Sequence, residues 1–188
     1  MNEFETNLIE FLQTNASIGW ISLFQFITML GSYLGFIIVF AILFIKQRKL
    51  SYVFAVTFVV ASVFNQLLKL IIARDRPFVN NPQILNYGGE SGYSMPSGHS
   101  LCGGLFATFL FYNILTTSKY KTTKILGGIF CVLFPFLIAY SRMVLGVHYL
   151  SDTLVGIALG VIFAVLGIYL YRYYMKRRNK AKTQENLQ

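Results

Sequence analysis

Five stretches of this chain are apolar for longer than a water-soluble helix can use. A membrane-crossing helix needs about 20 predominantly apolar residues. Residues 18–45, 51–72, 97–117, 124–141 and 148–171 each offer a run of that order. Composition argues against ordinary core helices. Of 188 residues, 55% are hydrophobic and 12% charged, whereas soluble domains carry about 25% charged residues. The length leaves room for one helical membrane domain and nothing more.

Residues 2–14, NEFETNLIEFLQT, set Phe4, Leu8, Ile9, Phe11 and Leu12 against Glu3, Glu5, Asn7 and Glu10. That spacing predicts a helix with a polar face. It is too short and too charged to span, and suits the membrane interface. The run 18–45 exceeds one crossing, and Gly31-Ser32 is the expected place for a break unless the helix tilts. Residues 51–72 form the second span, about 33 Å long at ~1.5 Å per residue. Residues 73–96, rich in Pro, Asn, Gly and Ser, predict a loop. Pro135 predicts a kink in the fourth span, and Gly156, Gly160 and Gly167 predict close packing by the fifth. Asn65 and Gln66 are expected to hydrogen-bond neighbouring helices. The chain thus divides into an amphipathic interfacial helix over 1–16, a membrane domain over 17–172 and a basic cytoplasmic tail over 173–188.

The formal net charge of +9 is concentrated in three places. Lys46, Arg48 and Lys49 form one cluster, and Lys119, Lys121 and Lys124 a second. The third comprises Arg172, Lys176, Arg177, Arg178, Lys180 and Lys182. Clusters between and after apolar runs follow the positive-inside rule rather than the footprint of a nucleic-acid binder. With five crossings, the N-terminus lies outside and the C-terminus in the cytoplasm of a multi-pass cell-membrane protein. Cys102 and Cys131 fall inside apolar runs and read as packing residues. No removable signal peptide is expected.

Charge sorting does not account for what gathers on the outer side. Lys69, Arg76 and Arg142 bring three cations to outer helix ends, and clustered cations repel unless an anion lies between them. The planar fork of Arg suits phosphate oxygens. Ser97 and Gly98 open a helix whose free N–H groups favour an anion. His148 and Asp152 stand four apart, on one face of a helix. A carboxylate on one ring nitrogen fixes the tautomer and leaves the other free to attack. His99 is then available to protonate a leaving oxygen. No carboxylate cluster is present to hold a metal, so neither metal nor cofactor is expected. Arg74 and Asp75 are expected to form a local surface pair, and Glu90 and Tyr93 to be plain loop residues, with a place flanking substrate as the alternative.

The segments KLIIARDRP, PSGH and SRMVLGVHYLSD occur in this order. They resemble the signature of the type 2 phosphatidic acid phosphatase family: K-x6-R-P, then P-S-G-H, then S-R-x5-H-x3-D. The resemblance covers about residues 17–171. It implies an all-α integral membrane bundle of five to six transmembrane helices and a metal-independent phosphatase. It implies His148 as nucleophile, Asp152 as its partner, His99 as acid then base, and Lys69, Arg76, Ser97, Gly98 and Arg142 as phosphate ligands. The expected partners are membrane lipids and a lipid phosphate or diphosphate substrate, with undecaprenyl diphosphate slightly ahead of phosphatidylglycerophosphate. Two rivals are a lipid phosphotransferase using the same site and a non-catalytic lipid-phosphate binder or transporter. The oligomeric state is not legible.

Overall fold

The break expected at Gly31-Ser32 is present, and a sharper one follows at Gln47. The computed structural model describes residues 3–185, and among these every regular element is a helix. In chain order they are α1 (Glu3–Thr14), α2 (Ile18–Met29), α3 (Tyr33–Ile72), α4 (Pro77–Asn80), α5 (Gly98–Thr117), α6 (Lys121–Val144) and α7 (Leu150–Glu185). Residues 1–2 of the expected interfacial segment and 186–188 of the expected tail lie outside the described residues.

A straight helix as long as α3 would extend about 60 Å, twice the hydrocarbon thickness of a bilayer. Gln47, however, leaves helical geometry at φ −146° and ψ 72°. Phe36 then stacks on Phe54 with ring centroids 5.3 Å apart and lies 4.6 Å from Phe58. In an unbroken helix Phe36 and Phe54 would be separated by roughly 27 Å. The chain therefore doubles back at Gln47, whose Nε2 donates to Thr116 Oγ1 at 2.6 Å and ties the bend to the end of α5. By length and composition α3, α5, α6 and α7 can each cross a membrane, and α2 is a shorter apolar helix.

The central helix is α5, packed chiefly against α7 and then against α6 and α3. Glycines permit the closest of these contacts. A Cβ on Gly160 would stand 2.1 Å from the Leu101 carbonyl oxygen, and one on Gly156 would stand 2.5 Å from that of Ser97. The two helices thus meet backbone to backbone, as small residues allow when lipid offers no hydrophobic drive for association. Deeper in the bundle Phe54 packs against Phe106 and Phe109, with ring centroids 5.7 and 5.2 Å away. Val56, Leu70, Val132 and Leu166 point outward, as side chains in contact with lipid tails would. Cys102 and Cys131 are free and buried.

The basic segment from 173 continues α7 as helix to Glu185, since no Gly or Pro between 173 and 185 stops it. Two expectations need correction. The acids of α1 do not all face water, since Glu5 is buried with Thr6 and Ile9 while Phe4 and Phe11 are exposed. Nor is His148 on a helix with Asp152, because α7 begins at Leu150.

Candidate active site

Each segment of the site is aimed by a helix end. Ala73 closes α3 in the left-handed region at φ 50°, its N–H bonded to the Lys69 carbonyl. This reversal sends Arg74 and Arg76 back across the bundle. At the start of α5, Ser97 caps the helix, its Oγ accepting from the Ser100 N–H at 3.4 Å. The Ser97 N–H donates to the Asp152 carbonyl at 3.0 Å, locking the starts of α5 and α7 together. Between α6 and α7 the turn requires positive φ at Gly146, which has 73°. Asp152 then reaches back to accept from the Tyr149 N–H at 2.9 Å, the backward half of a helix capping box. That bond fixes the turn in which His148 stands.

The His148 imidazole is buried, and its Nδ1 lies 3.6 Å from Asp152 Oδ2 and 3.4 Å from Ser94 Oγ. Ser94 also donates to Asp152 Oδ2. The other carboxylate oxygen, Oδ1, accepts from Arg74 Nη1 at 2.6 Å. Asp152 is fully enclosed and each of its oxygens is engaged. A carboxylate facing Nδ1 holds the proton on that nitrogen and leaves the Nε2 lone pair available. Burial is the largest influence on His148 and pushes its pKa down to about 4, against the opposing pull of Asp152. The imidazole is therefore neutral at physiological pH.

Opposite His148 lies a cavity of about 720 Å³ bordered by Lys69, Arg76, Gly98, His99 and His148 among others. Lys69 Nζ donates to the Tyr93 carbonyl at 2.7 Å. Arg76 donates to the carbonyls of Gly92, Ser91 and Val147 at 3.0, 3.0 and 2.9 Å, and its Nη1 is 3.4 Å from His148 Nε2. Arg142 donates from Nη1 to Thr28 Oγ1 at 2.9 Å. Ser97 and Arg142 do not border the cavity; the Ser97 side chain is turned into its helix cap. Asn65 borders it with its buried Oδ1 unpartnered among the described residues, so the expected bond to a neighbouring helix is absent there.

The gathered cations do have an anion between them: the carboxylate of Glu90. Arg142 Nη2 approaches Glu90 Oε1 at 2.5 Å, Arg76 Nη2 approaches Oε2 at 3.3 Å, and His99 Nδ1 lies 3.7 Å from Oε1. Burial raises the Glu90 pKa, but Arg142, His99 and Arg76 together outweigh it and hold the carboxyl below its usual range. The residue is thus a charged part of the site, not plain loop. It sits between Gly89 and Gly92, both at positive φ of 65° and 68°. The Arg74–Asp75 surface pair does not form either. Arg74 bridges Asp152 and Glu5, with its Nη2 2.9 Å from Glu5 Oε2. Sequence reasoning missed Ser94, Glu5 and Thr28, placed Arg74 in a surface pair, and kept a place for Glu90 beside substrate only as the second choice after plain loop. Arg74 left a signal in its position two residues before Arg76.

A family model described as the PAP2 superfamily matches residues 48–176. An undecaprenyl-diphosphatase from Sulfolobus acidocaldarius is 32% identical over 168 residues, covering 88% of this chain and 77% of that protein. A phosphatidylglycerophosphatase B from Bacillus subtilis is 34% identical over 109 residues, covering 55% of this chain and about half (49%) of the other. In fold, the chain resembles the crystal structure of a transmembrane PAP2-type phosphatidylglycerolphosphate phosphatase from Bacillus subtilis. The TM-score is 0.78 at 21% identity, over 91% of this chain and 86% of that one.

Proposed function

Since the chain belongs to the PAP2 superfamily of membrane lipid phosphatases, we propose that it hydrolyses a lipid phosphate or diphosphate through a phosphohistidine on His148. The observation that carries this is the shared cavity. Two imidazoles from distant parts of the sequence border it together with Lys69 and Arg76, and one imidazole is backed by a buried carboxylate.

The Nε2 lone pair of His148 attacks phosphorus, forming an N–P bond. The P–O bond to the lipid breaks, or the bridging P–O bond of a diphosphate, and the departing oxygen takes a proton from His99. A water then attacks the phosphohistidine and gives its proton to His99, and the N–P bond breaks to release inorganic phosphate. Asp152 stabilises the charge that develops on the His148 ring. Lys69, Arg76 and Arg142 meet the phosphoryl oxygens, with the free N–H groups near Gly98 as further donors. For the phosphate to come between the arginines, the Glu90 carboxylate must withdraw. Gly89 and Gly92 give that segment the backbone freedom to move.

Undecaprenyl diphosphate leads phosphatidylglycerophosphate as the substrate, supported by the greater share of both chains that the diphosphatase alignment covers. The site opens on the outer face and the C-terminus is cytoplasmic. In support, the basic clusters fall at the Gln47 bend, the α5–α6 junction and the far half of α7, all helix ends away from the cavity. The test is phosphate release by the purified protein from an isoprenoid diphosphate, an isoprenoid monophosphate, phosphatidylglycerophosphate and a water-soluble phosphate ester. Free phosphate without an added acceptor is expected, fastest from the isoprenoid diphosphate. Release that required an acceptor lipid would replace hydrolysis by phosphoryl transfer.

A further inference from the structure

The buried charges beyond the catalytic pair form a continuous chain that starts in the N-terminal helix. Glu5 is 5% exposed although it stands on an interfacial helix. Its Oε1 accepts from the Ser151 N–H at 2.7 Å, in the first turn of α7, and its Oε2 pairs with Arg74. Arg74 spends its other nitrogen on Ser151 Oγ at 2.7 Å and on Asp152 Oδ1 at 2.6 Å, and its guanidinium lies over the Tyr149 ring at 4.0 Å. Asp152 in turn faces His148. Neither Glu5 nor Arg74 borders the substrate cavity. Glu5 also lies outside the residues that the family model matches.

Burying a carboxylate and a guanidinium is costly unless each is closely paired. Here the chain of partners ends on the one carboxylate that the mechanism uses. An arginine bonded to Asp152 competes with the His148 ring for its negative charge. A glutamate bonded to that arginine reduces the competition. We propose that Glu5 and Arg74 are positioning residues of the active site: Arg74 holds the Asp152 carboxylate in register with His148, and Glu5 balances the arginine. The N-terminal helix is then a working part of the site and not only an anchor. This rests on the assignment of His148 and Asp152 as the nucleophilic pair.

Charge logic gives the two residues opposite signatures. His148 is faced by Asp152 from α7, Arg142 from α6, Lys69 at the end of α3, Arg76 and Glu90 from the α3–α5 connection, and His99 from the start of α5. All six are retained in the variants below. Removing the Arg74 cation lets Asp152 stabilise protonated His148 more strongly, so the acidic limb of kcat/KM moves to higher pH. Removing the Glu5 anion leaves Arg74 unbalanced, so the limb moves to lower pH. Shifts of about one pH unit are the scale for a unit charge several Å away in a protein environment.

The experiment measures the acidic limb for full-length wild type, Arg74→Gln, Glu5→Gln, the double Glu5→Gln/Arg74→Gln variant and Arg74→Lys. The expected result is opposite shifts in the two single variants, a double variant between them, and a wild-type limb in Arg74→Lys. A loss of kcat of about 10–100-fold is expected in Arg74→Gln, the scale for groups that orient a functional histidine, with KM little changed. Should Arg74→Gln fail to fold, the downward shift in near-isosteric Glu5→Gln still decides. Limbs that move together, or not at all, would overturn the proposal. The nucleophile assignment fails separately, if His148→Ala retains turnover.

Discussion

The two imidazoles of the site stand in opposite surroundings. His148 is almost fully buried, and the groups that fix its ring are Asp152, Ser94, Arg76 and the turn held by the Tyr149 N–H. His99 is a quarter exposed beside Glu90, a carboxylate of similar exposure on a glycine-flanked segment. One half of the site is complete before substrate arrives. The other holds an anion of its own where a phosphate would have to bind. The contrast follows from the chemistry asked of each half. A nucleophile needs fixed aim and a fixed tautomer, whereas an anion cradle must exchange its occupant. Cations left bare would repel one another, and the Glu90 carboxylate between Arg142 and Arg76 relieves that cost.

The sharpest way to break the comparison is to remove the pre-built half. His148→Ala is expected to abolish phosphate release, because His99, the other imidazole on the cavity, has no buried carboxylate like Asp152 behind its ring. Turnover comparable to wild type would put the chemistry elsewhere. Asp152→Asn keeps the shape but loses the charge behind the ring, and kcat is expected to fall by up to about 10⁴-fold, as when a triad aspartate is neutralised. Glu90→Gln perturbs the exchangeable half and is expected to act gently. Inhibition by vanadate or inorganic phosphate should strengthen by several-fold, since the anion no longer displaces a charged carboxylate. If instead kcat collapses while vanadate affinity stays fixed, Glu90 is serving His99 and not the cradle. The smallest effect concerns pH. Above a pKa of about 4 the His148 ring is deprotonated and able to attack, so the acidic limb of kcat/KM lies near that value, while a fall at higher pH belongs to the proton that His99 donates. A wild-type acidic limb at or above the ordinary imidazole range near ~6.5 would show that His148 is not held neutral by its surroundings.

What was legible in the sequence divides along the same line. His99, His148, Asp152 and the cations stand in segments of fixed internal spacing, so they could be singled out before any fold was known, and the fold brings His99, His148, Lys69 and Arg76 to one cavity. The spans could be read because lipid demands long apolar runs. Glu90 was read first as plain loop and only second as a neighbour of substrate, because a glutamate in a run of glycines and serines has the composition of a solvated loop. Its meaning comes from Arg142 and Arg76, which lie far along the chain and meet it only after folding. Glu5 was assigned to the wet face of α1 for a similar reason: periodicity describes a helix alone and carries no information about a buried arginine from elsewhere. The bend at Gln47 was visible only as a basic gap between two apolar runs.

The central claim is that His148 Nε2 takes the phosphoryl group. The direct measurement is rapid alkaline quenching of wild-type enzyme during turnover of a substrate radiolabelled in its terminal phosphate, followed by mapping of the labelled peptide. The account predicts an alkali-stable, acid-labile phosphoryl group on His148, absent from His148→Ala. Label on another residue, or substrate consumed in a single turnover with no labelled protein at any time, would contradict it.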